Sequence, residues 1–225
     1  MTERELFNRI MNYESIDRVP VIHWTCWPET RKRWADEGLP EDADQHAYFN
    51  ARPWSARIGA HLGLFPAFEE EVLEETDEYR IFRDGTGVVC QDWKHKSCIP
   101  HFIDYTLKDA SGWDEYKKRL QPDPGRIPDD LDERIERAEK SGQPVSVQTA
   151  SMMGWIRNWM GVENMTFLIF DSPDVYADMV MTLADLTCWW LDIVLPKSKP
   201  DIGFGWEDIC GKSGPLVSPM LLRNT

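Results

Sequence analysis

From Pro144 to Trp206 the chain reads strand, helix, strand, and that order limits the folds open to it. Pro144-Val-Ser-Val-Gln-Thr149 is a short β-rich run behind the turn Ser141-Gly142. Ser172-Pro173 then opens the longest helical pattern, with Tyr176, Met179, Val180, Leu183, Leu186, Trp190, Ile193 and Val194 at helical spacing. Lys197 to Pro200 close it, and Ile202 to Trp206 follows as another short apolar run. Two strands joined by a helical crossover of this length lie parallel in one sheet. A third run of the same kind, Val19 to Trp24, stands behind the turn Asp17-Arg18. The expected fold is therefore α/β, a TIM-type (β/α)8 barrel present in part. Such a barrel takes ~250 residues, and parallel strands can be read near residues 20, 145 and 202 of the 225. The remaining strands are expected beyond Thr225, with residues 1–225 forming one partial, N-terminal barrel domain.

Thr2-x-x-Glu5 is a capping box that starts a helix with Leu6, Phe7, Ile10 and Met11 on one face. A second helix is predicted over Glu29 to Glu37, stopped by Gly38 with Pro40 beyond. Residues 41–68 read as loops with short helices. Tyr79 to Trp93 alternates in the strand manner around Asp84-Gly85, a strong hairpin signal. Residues 74–98 are thus expected to form a β-hairpin excursion from the barrel. Trp113 to Leu120 and Asp130 to Lys140 read as helices, Pro122-Asp-Pro-Gly125 as a linker, and Met152 to Phe170 as loop followed by helix.

Charge narrows the partners. The formal net charge of −14 has the wrong sign for nucleic acid or an anionic membrane. Val175 to Leu195, the longest apolar stretch, is interrupted by Asp178, Asp185 and Asp192 and reads as an amphipathic helix. Five cysteines, at 26, 90, 98, 188 and 210, form no disulfide framework and fit reduced thiols. With the charged start Thr2-Glu3-Arg4-Glu5, a cytoplasmic location is expected.

Trp206-Glu207-Asp208 is the leading candidate site, because two carboxylates at the exit of an apolar strand are costly to place. The pair could act as general base and substrate anchor or bind a cation, and Glu207 is the one expected to face the barrel mouth, with Asp208 beside it. The plainer alternative is that the pair caps the loop and helix that follow. His23-Trp24-Thr25-Cys26 leaves the first strand. His23 and Trp24 are candidates for substrate contact, and His23 with Cys26, joined by Cys98 or Cys210, for a zinc site. Here too a plainer reading stands: a histidine and a thiol in a pocket wall. Lys94 to Cys98 reads as a basic loop or a solvated turn, and Gly211 and Gly214 precede a helix start at Ser218-Pro219.

The opening from Arg4 to Trp24, with its Asp17-Arg18-Val19-Pro20-Val21, resembles the start of the uroporphyrinogen decarboxylase superfamily. The close, Asp201 to Leu222, with Trp206-Glu207-Asp208 and Gly214-Pro215-Leu216-x-Ser218-Pro219, is similar to that family's strand, acidic turn and helix start. The stretch from Val147 through the Ser172-Pro173 helix matches its strand, ligand-facing loop and long helix. The resemblance implies a TIM barrel acting either as a porphyrinogen decarboxylase or as a methyltransferase that exchanges methyl groups with a corrinoid protein, in some members with zinc. It also implies that Trp159, or Trp155, stands where the family has a ligand-facing tyrosine.

The decarboxylases grip their substrate's carboxylates with two arginines, and these positions fall on Thr25 and Glu29 here. Guanidinium suits that task by bidentate pairing, whereas glutamate repels. The family's fifth-strand serine aligns with Asp208, while its glutamate is kept as Glu207. The expected function is therefore methyl transfer, or a related reaction on a small ligand, with a corrinoid protein as partner. One alternative is the decarboxylase itself, with Arg31 and Arg33 taking over the arginine role. The other is a non-catalytic ligand-binding or docking barrel.

Overall fold

A computed structural model describes residues 1–24 and 26–220. Its helices are α1 (Glu3–Met11), α2 (Pro28–Asp36), α3 (Gln45–Tyr48), α4 (Trp113–Lys118), α5 (Leu131–Lys140), α6 (Met152–Asp171) and α7 (Pro173–Val194). Its strands are β1 (Ala56–Ile58), β2 (Glu71–Glu75), β3 (Tyr79–Arg83), β4 (Val88–Trp93), β5 (His101–Tyr105), β6 (Val145–Gln148), β7 (Ile202–Phe204), β8 (Cys210–Gly211) and β9 (Gly214–Pro215). They fall into two compact units, each discontinuous in sequence. The first comprises Met1–Gly59, Pro128–Gln148 and Val194–Phe204; the second comprises Ala60–Ile127, Thr149–Ile193 and the described part of Gly205–Thr225.

The first unit is built on a parallel sheet in the order β1-β6-β7. This overturns the barrel: three short strands form an open sheet, and among the described residues no further strand closes it. The strands expected near 145 and 202 are present, but the run from Val19 contributes a single parallel bridge, Ile22 to Arg52. Val19, Val21 and Ile22 are all more than half exposed rather than buried. The ladder stops because its next acceptor is taken. Arg52 N–H donates to the Val21 carbonyl at 2.8 Å, and the Arg52 carbonyl accepts from His23 N–H at 3.3 Å. The His23 carbonyl, which would carry the pairing on, accepts instead from His46 Nε2–H at 3.0 Å. On the other side Asn50 N–H turns back to Ala47.

Register separates the faces of this sheet. Ala56 pairs with Val145 and Ile58 with Val147, and Ile58, Val145 and Val147 are buried on the side that β1 shares with α5. Leu131, Ile135 and Ala138 are the buried residues of α5. At the strands' N-terminal end Asp201 ties three elements together. Its carboxylate accepts from Val145 N–H at 2.7 Å, from Asn8 at 3.1 Å and from Arg4 Nε at 2.8 Å. Arg4 also pairs with Glu139, so α1 is clamped to α5 and to the starts of β6 and β7. The Thr2–Glu5 capping box begins α1 as the sequence indicates.

The second unit holds an antiparallel meander, β2-β3-β4-β5. The hairpin read at Asp84 is its centre, and β2 and β5 widen it to four strands across 71–105. The turn works through Asp84 rather than Gly85. The Asp84 carboxylate accepts from Thr86 N–H, Thr86 Oγ1–H and Val88 N–H at 2.7–3.0 Å. Gly87 supplies the left-handed residue, with φ +83°. The apolar face of α7 is as the sequence predicts, with Tyr176, Met179, Leu183, Leu186, Trp190 and Val194 buried. By contrast Met152–Asp171 is helical from its start, broken only at Gly161 with φ +78°. A Cβ there would stand 2.7 Å from the Tyr105 ring, so the break and the close packing both require glycine. Among the described residues no helix is long and apolar enough to cross a membrane.

Candidate functional site

The acidic pair lies in the second unit, and its geometry is that of a helix cap. The Glu207 carboxylate accepts from the backbone N–H groups of Met152, Met153 (3.2 Å) and Gly154 (2.8 Å), the first turn of α6. A helix start leaves these donors unpaired and carries positive potential, so an anion there is favourable. Ser151, at the cap position, leaves them free by donating its hydroxyl to the Trp206 carbonyl at 2.6 Å. A Cβ on Gly154 would stand 2.8 Å from that same carbonyl, which fixes glycine at the point of approach. Asp208 pairs with Arg157 at 3.1 Å, and Arg157 also donates to the Asp208 backbone carbonyl at 3.0 Å. Both acids are exposed, and both lash the 205–208 segment to α6. The plainer reading of this pair was a cap for the helix that follows; the helix actually capped precedes it in sequence.

Trp155 and Trp159 were expected on a ligand-facing loop and lie on α6 instead. Trp159 is 4% exposed and packs on Tyr116 (ring centroids 5.8 Å apart) and Trp155 (6.2 Å). It fills core.

His23, Trp24, Cys26 and Arg31 lie in the first unit. His23 Nε2 is 2.9 Å from Gln45 Oε1, and the Cys26 thiol meets the same carboxamide at 3.7–3.9 Å. The His23 ring sits against Trp34, His46 and Phe49. An amide thus bridges the two residues proposed as zinc ligands. Among the described residues no group of three or more His, Cys, Asp or Glu side chains is placed to hold a metal. Cys98 and Cys210, offered as further ligands, belong to the second unit and are exposed. The donor set does not fit zinc. Trp24 is 64% exposed. Arg31 donates to the carbonyls of Glu41 and Ala43, and Arg33 pairs with Glu37 on its own helix. Thr25, aligned with an arginine of the decarboxylases, lies outside the described residues, as do Leu221 and Leu222 of the closing motif.

The residues that sequence reasoning passed over stand on the other face of the parallel sheet. Alternation along β1, β6 and β7 puts Arg57, Ser146 and Ile202 in one row, and Gln148 and Phe204 in the next. Ser146 is buried and shares a 2.7 Å hydrogen bond with Ser55. The Arg57 guanidinium reaches over the Phe204 ring, 5.7 Å from its centroid, and Trp54 approaches that ring at 5.5 Å. At the strand ends Gly59 leaves room for two side chains. A Cβ there would lie 3.1 Å from Gln148 Oε1 and 3.9 Å from Arg57 Nε. A cation, a carboxamide and the Phe204 ring therefore meet toward the carboxyl ends of parallel strands, where α/β sheets hold ligands, and Trp54, from ahead of β1, approaches that ring. The available signal was the strict alternation Val145-Ser146-Val147-Gln148, which marks a sheet with one apolar face and one polar face. Compared with known proteins, the chain matches no family model, no curated protein and no solved structure.

Proposed function

We propose that the chain binds and transforms a small planar molecule lying over the carboxyl ends of β1, β6 and β7. One observation carries this reading: the two faces of the sheet differ in chemistry. One buries Ile58, Val145 and Val147; the other carries Arg57, Ser146, Gln148, Ile202 and Phe204, with Trp54 against the Phe204 ring. Packing alone asks for apolar residues on a sheet face, so polar groups gathered at strand ends support a ligand site. A ligand-observed NMR screen of small flat molecules tests it. Hits should compete with one another and vanish in Phe204→Ala, while Phe102→Ala, on the exposed meander strand β5, leaves them unchanged. Hits indifferent to Phe204→Ala reject this location.

Within that reading, methyl transfer is favoured over porphyrinogen decarboxylation by the state of the substitute arginines. Arg31 is engaged with two backbone carbonyls and Arg33 with Glu37, which does not support a grip on a polycarboxylate. A corrinoid protein would be the methyl donor or acceptor. Demethylation of methylcob(III)alamin in the presence of a thiol, followed by absorbance, is the expected activity. Turnover of uroporphyrinogen without it would reverse the preference.

A further inference from the structure

We infer that the ligand of this strand-end site is an anion, a flat ring bearing a carboxylate or a phosphate, and that Arg57 is the residue that recognises its charge. The inference rests on the site proposed above and adds the substrate class. The chain carries 39 acidic against 25 basic side chains, so most of its arginines find a partner. Most other arginines are engaged: Arg4, Arg9, Arg18, Arg33, Arg52, Arg80, Arg83, Arg119, Arg134 and Arg157 by carboxylates. Arg31 and Arg126 are held by backbone carbonyls. Among the described residues, Arg57 has neither; its guanidinium lies over the face of Phe204.

The surroundings raise the local positive potential further. Arg57 also lines, with Arg134, Arg137 and Asp130, a hollow of about 360 Å³ beside α5. Arg134 and Arg137 bring two guanidiniums to the single carboxylate there, Asp130, which Arg134 already pairs at 2.6 Å. Arg137 likewise has no acid partner among the described residues. A guanidinium stacked on an aromatic ring keeps its edge N–H groups free for bidentate pairing with carboxylate or phosphate. Phe204 and Trp54 give the ring of such a ligand a surface to lie against. Gln148 supplies a neutral amide beside the same point.

Calorimetric titration of the purified chain with benzoate, phenyl phosphate and neutral benzamide separates the possibilities. Both anions share the required chemistry, and whichever binds tighter identifies the group recognised. At least one anion should bind ten or more times tighter than benzamide. Arg57→Gln should remove that advantage, and Arg57→Lys should restore part of it. Raising the salt concentration should weaken the anion and leave benzamide unaffected, a check that needs no variant. Equal binding of anion and benzamide, unaltered by Arg57→Gln in a protein of unchanged circular dichroism, overturns the inference while leaving the strand-end site standing. Absence of saturable binding by all three probes overturns both.

Discussion

The seam of the parallel sheet and the loops flanking the meander are held by different kinds of charge, while the meander's own strands carry ion pairs such as Arg80–Asp92 and Arg83–Glu71. In the first unit the strands come from residues 56, 145 and 202 onward, and no turn joins them directly. Their seam is held by matched opposites: Arg4 between Glu139 and Asp201, with Ser198 and Asn8 completing the carboxylates' hydrogen bonds. In the second unit the meander closes through local turns, and the segments around it converge on one buried arginine without a carboxylate partner. Arg126, 1% exposed, donates to the carbonyls of Gln121 (2.9 Å), His61 (2.8 Å), Gly63 (2.7 Å) and Arg119. Its guanidinium also lies over Phe65. Paired acids titrate in the acid range, whereas arginine on carbonyls does not. The seam of the first unit should therefore be sensitive to acid, and the Arg126 brace insensitive.

The largest effect should come from breaking the buried cation. Arg126→Met strands four backbone carbonyls away from water, and the loss should be about 3–5 kcal/mol in urea unfolding. Hydrogen exchange should speed up in residues 60–66 and 119–127, with the first unit unaffected. A loss under about 1 kcal/mol would mean that water reaches those carbonyls, and the contrast between the units would then fail.

Asp201→Asn is the corresponding test of the first unit, with a loss of about 2–3 kcal/mol near neutral pH. The pH dependence sharpens it. Burial alone would push the Asp201 carboxyl up, but Val145 N–H, Asn8 and Arg4 together outweigh that and hold it below the usual carboxylate range. Ser198 is the main group holding Glu139 down, helped by Arg4 and the Lys199 N–H against the opposing effect of burial. A carboxylate depressed in the folded state binds fewer protons there than in the unfolded chain. Its stabilisation is complete above the unfolded pKa of about 4 and fades as pH falls through the lower folded value. The wild type should thus lose stability steeply below about pH 4, and Asp201→Asn should flatten that slope. An unchanged slope would remove Asp201 from the account.

Much of this architecture is legible locally, and what is missed is set at long range. The Thr2–Glu5 box, the helix from Pro173 and the Asp84 turn each depend on neighbours within a few positions, and each is readable. β1 has only three residues, too few to show a period, so Ala56–Ile58 is hidden among loops. The barrel expectation failed at His23, where a side chain 23 positions away takes the carbonyl that the ladder needed. Glu207 looked catalytic because an acid behind an apolar strand is rare. The donors that explain it belong to residues 53 to 55 positions earlier. Arg126 stands next to a stretch that reads as a linker, and nothing nearby marks it as buried.

Glu207 offers a milder break within the second unit. Glu207→Ala leaves the first turn of α6 uncapped and should cost about 1–2 kcal/mol, with Gln intermediate because it keeps an acceptor but loses the charge. Exchange at Met153 and Gly154 should accelerate before any other part of α6 responds. If Glu207→Gln instead abolished the methyl transfer proposed above while exchange at those amides stayed slow, the capping account would be incomplete and the carboxylate would have a chemical role.

The smallest perturbation compares two thiols, one per unit, and need not disturb the fold. Cys90 on β4 is 2% exposed, and burial, then Asp84 and Asp92, push its thiol up to about 11. At pH 8 only about a thousandth of it is thiolate, and that fraction is shielded. Cys26 in the first unit is half-buried against Gln45, on a segment that the bridge at Ile22 holds by a single ladder step. With a slight excess of an aromatic disulfide reagent, Cys98, Cys188 and Cys210, all exposed, should react first, and Cys26 next through local opening. Cys90 should react last, at a rate that follows urea and the stability of the meander. Arg126→Met should then speed Cys90 labelling and leave Cys26 unchanged, while Asp201→Asn should do the reverse. Acceleration of both thiols by either substitution would mean that the two units open together, and the contrast between their seams would not extend to their dynamics.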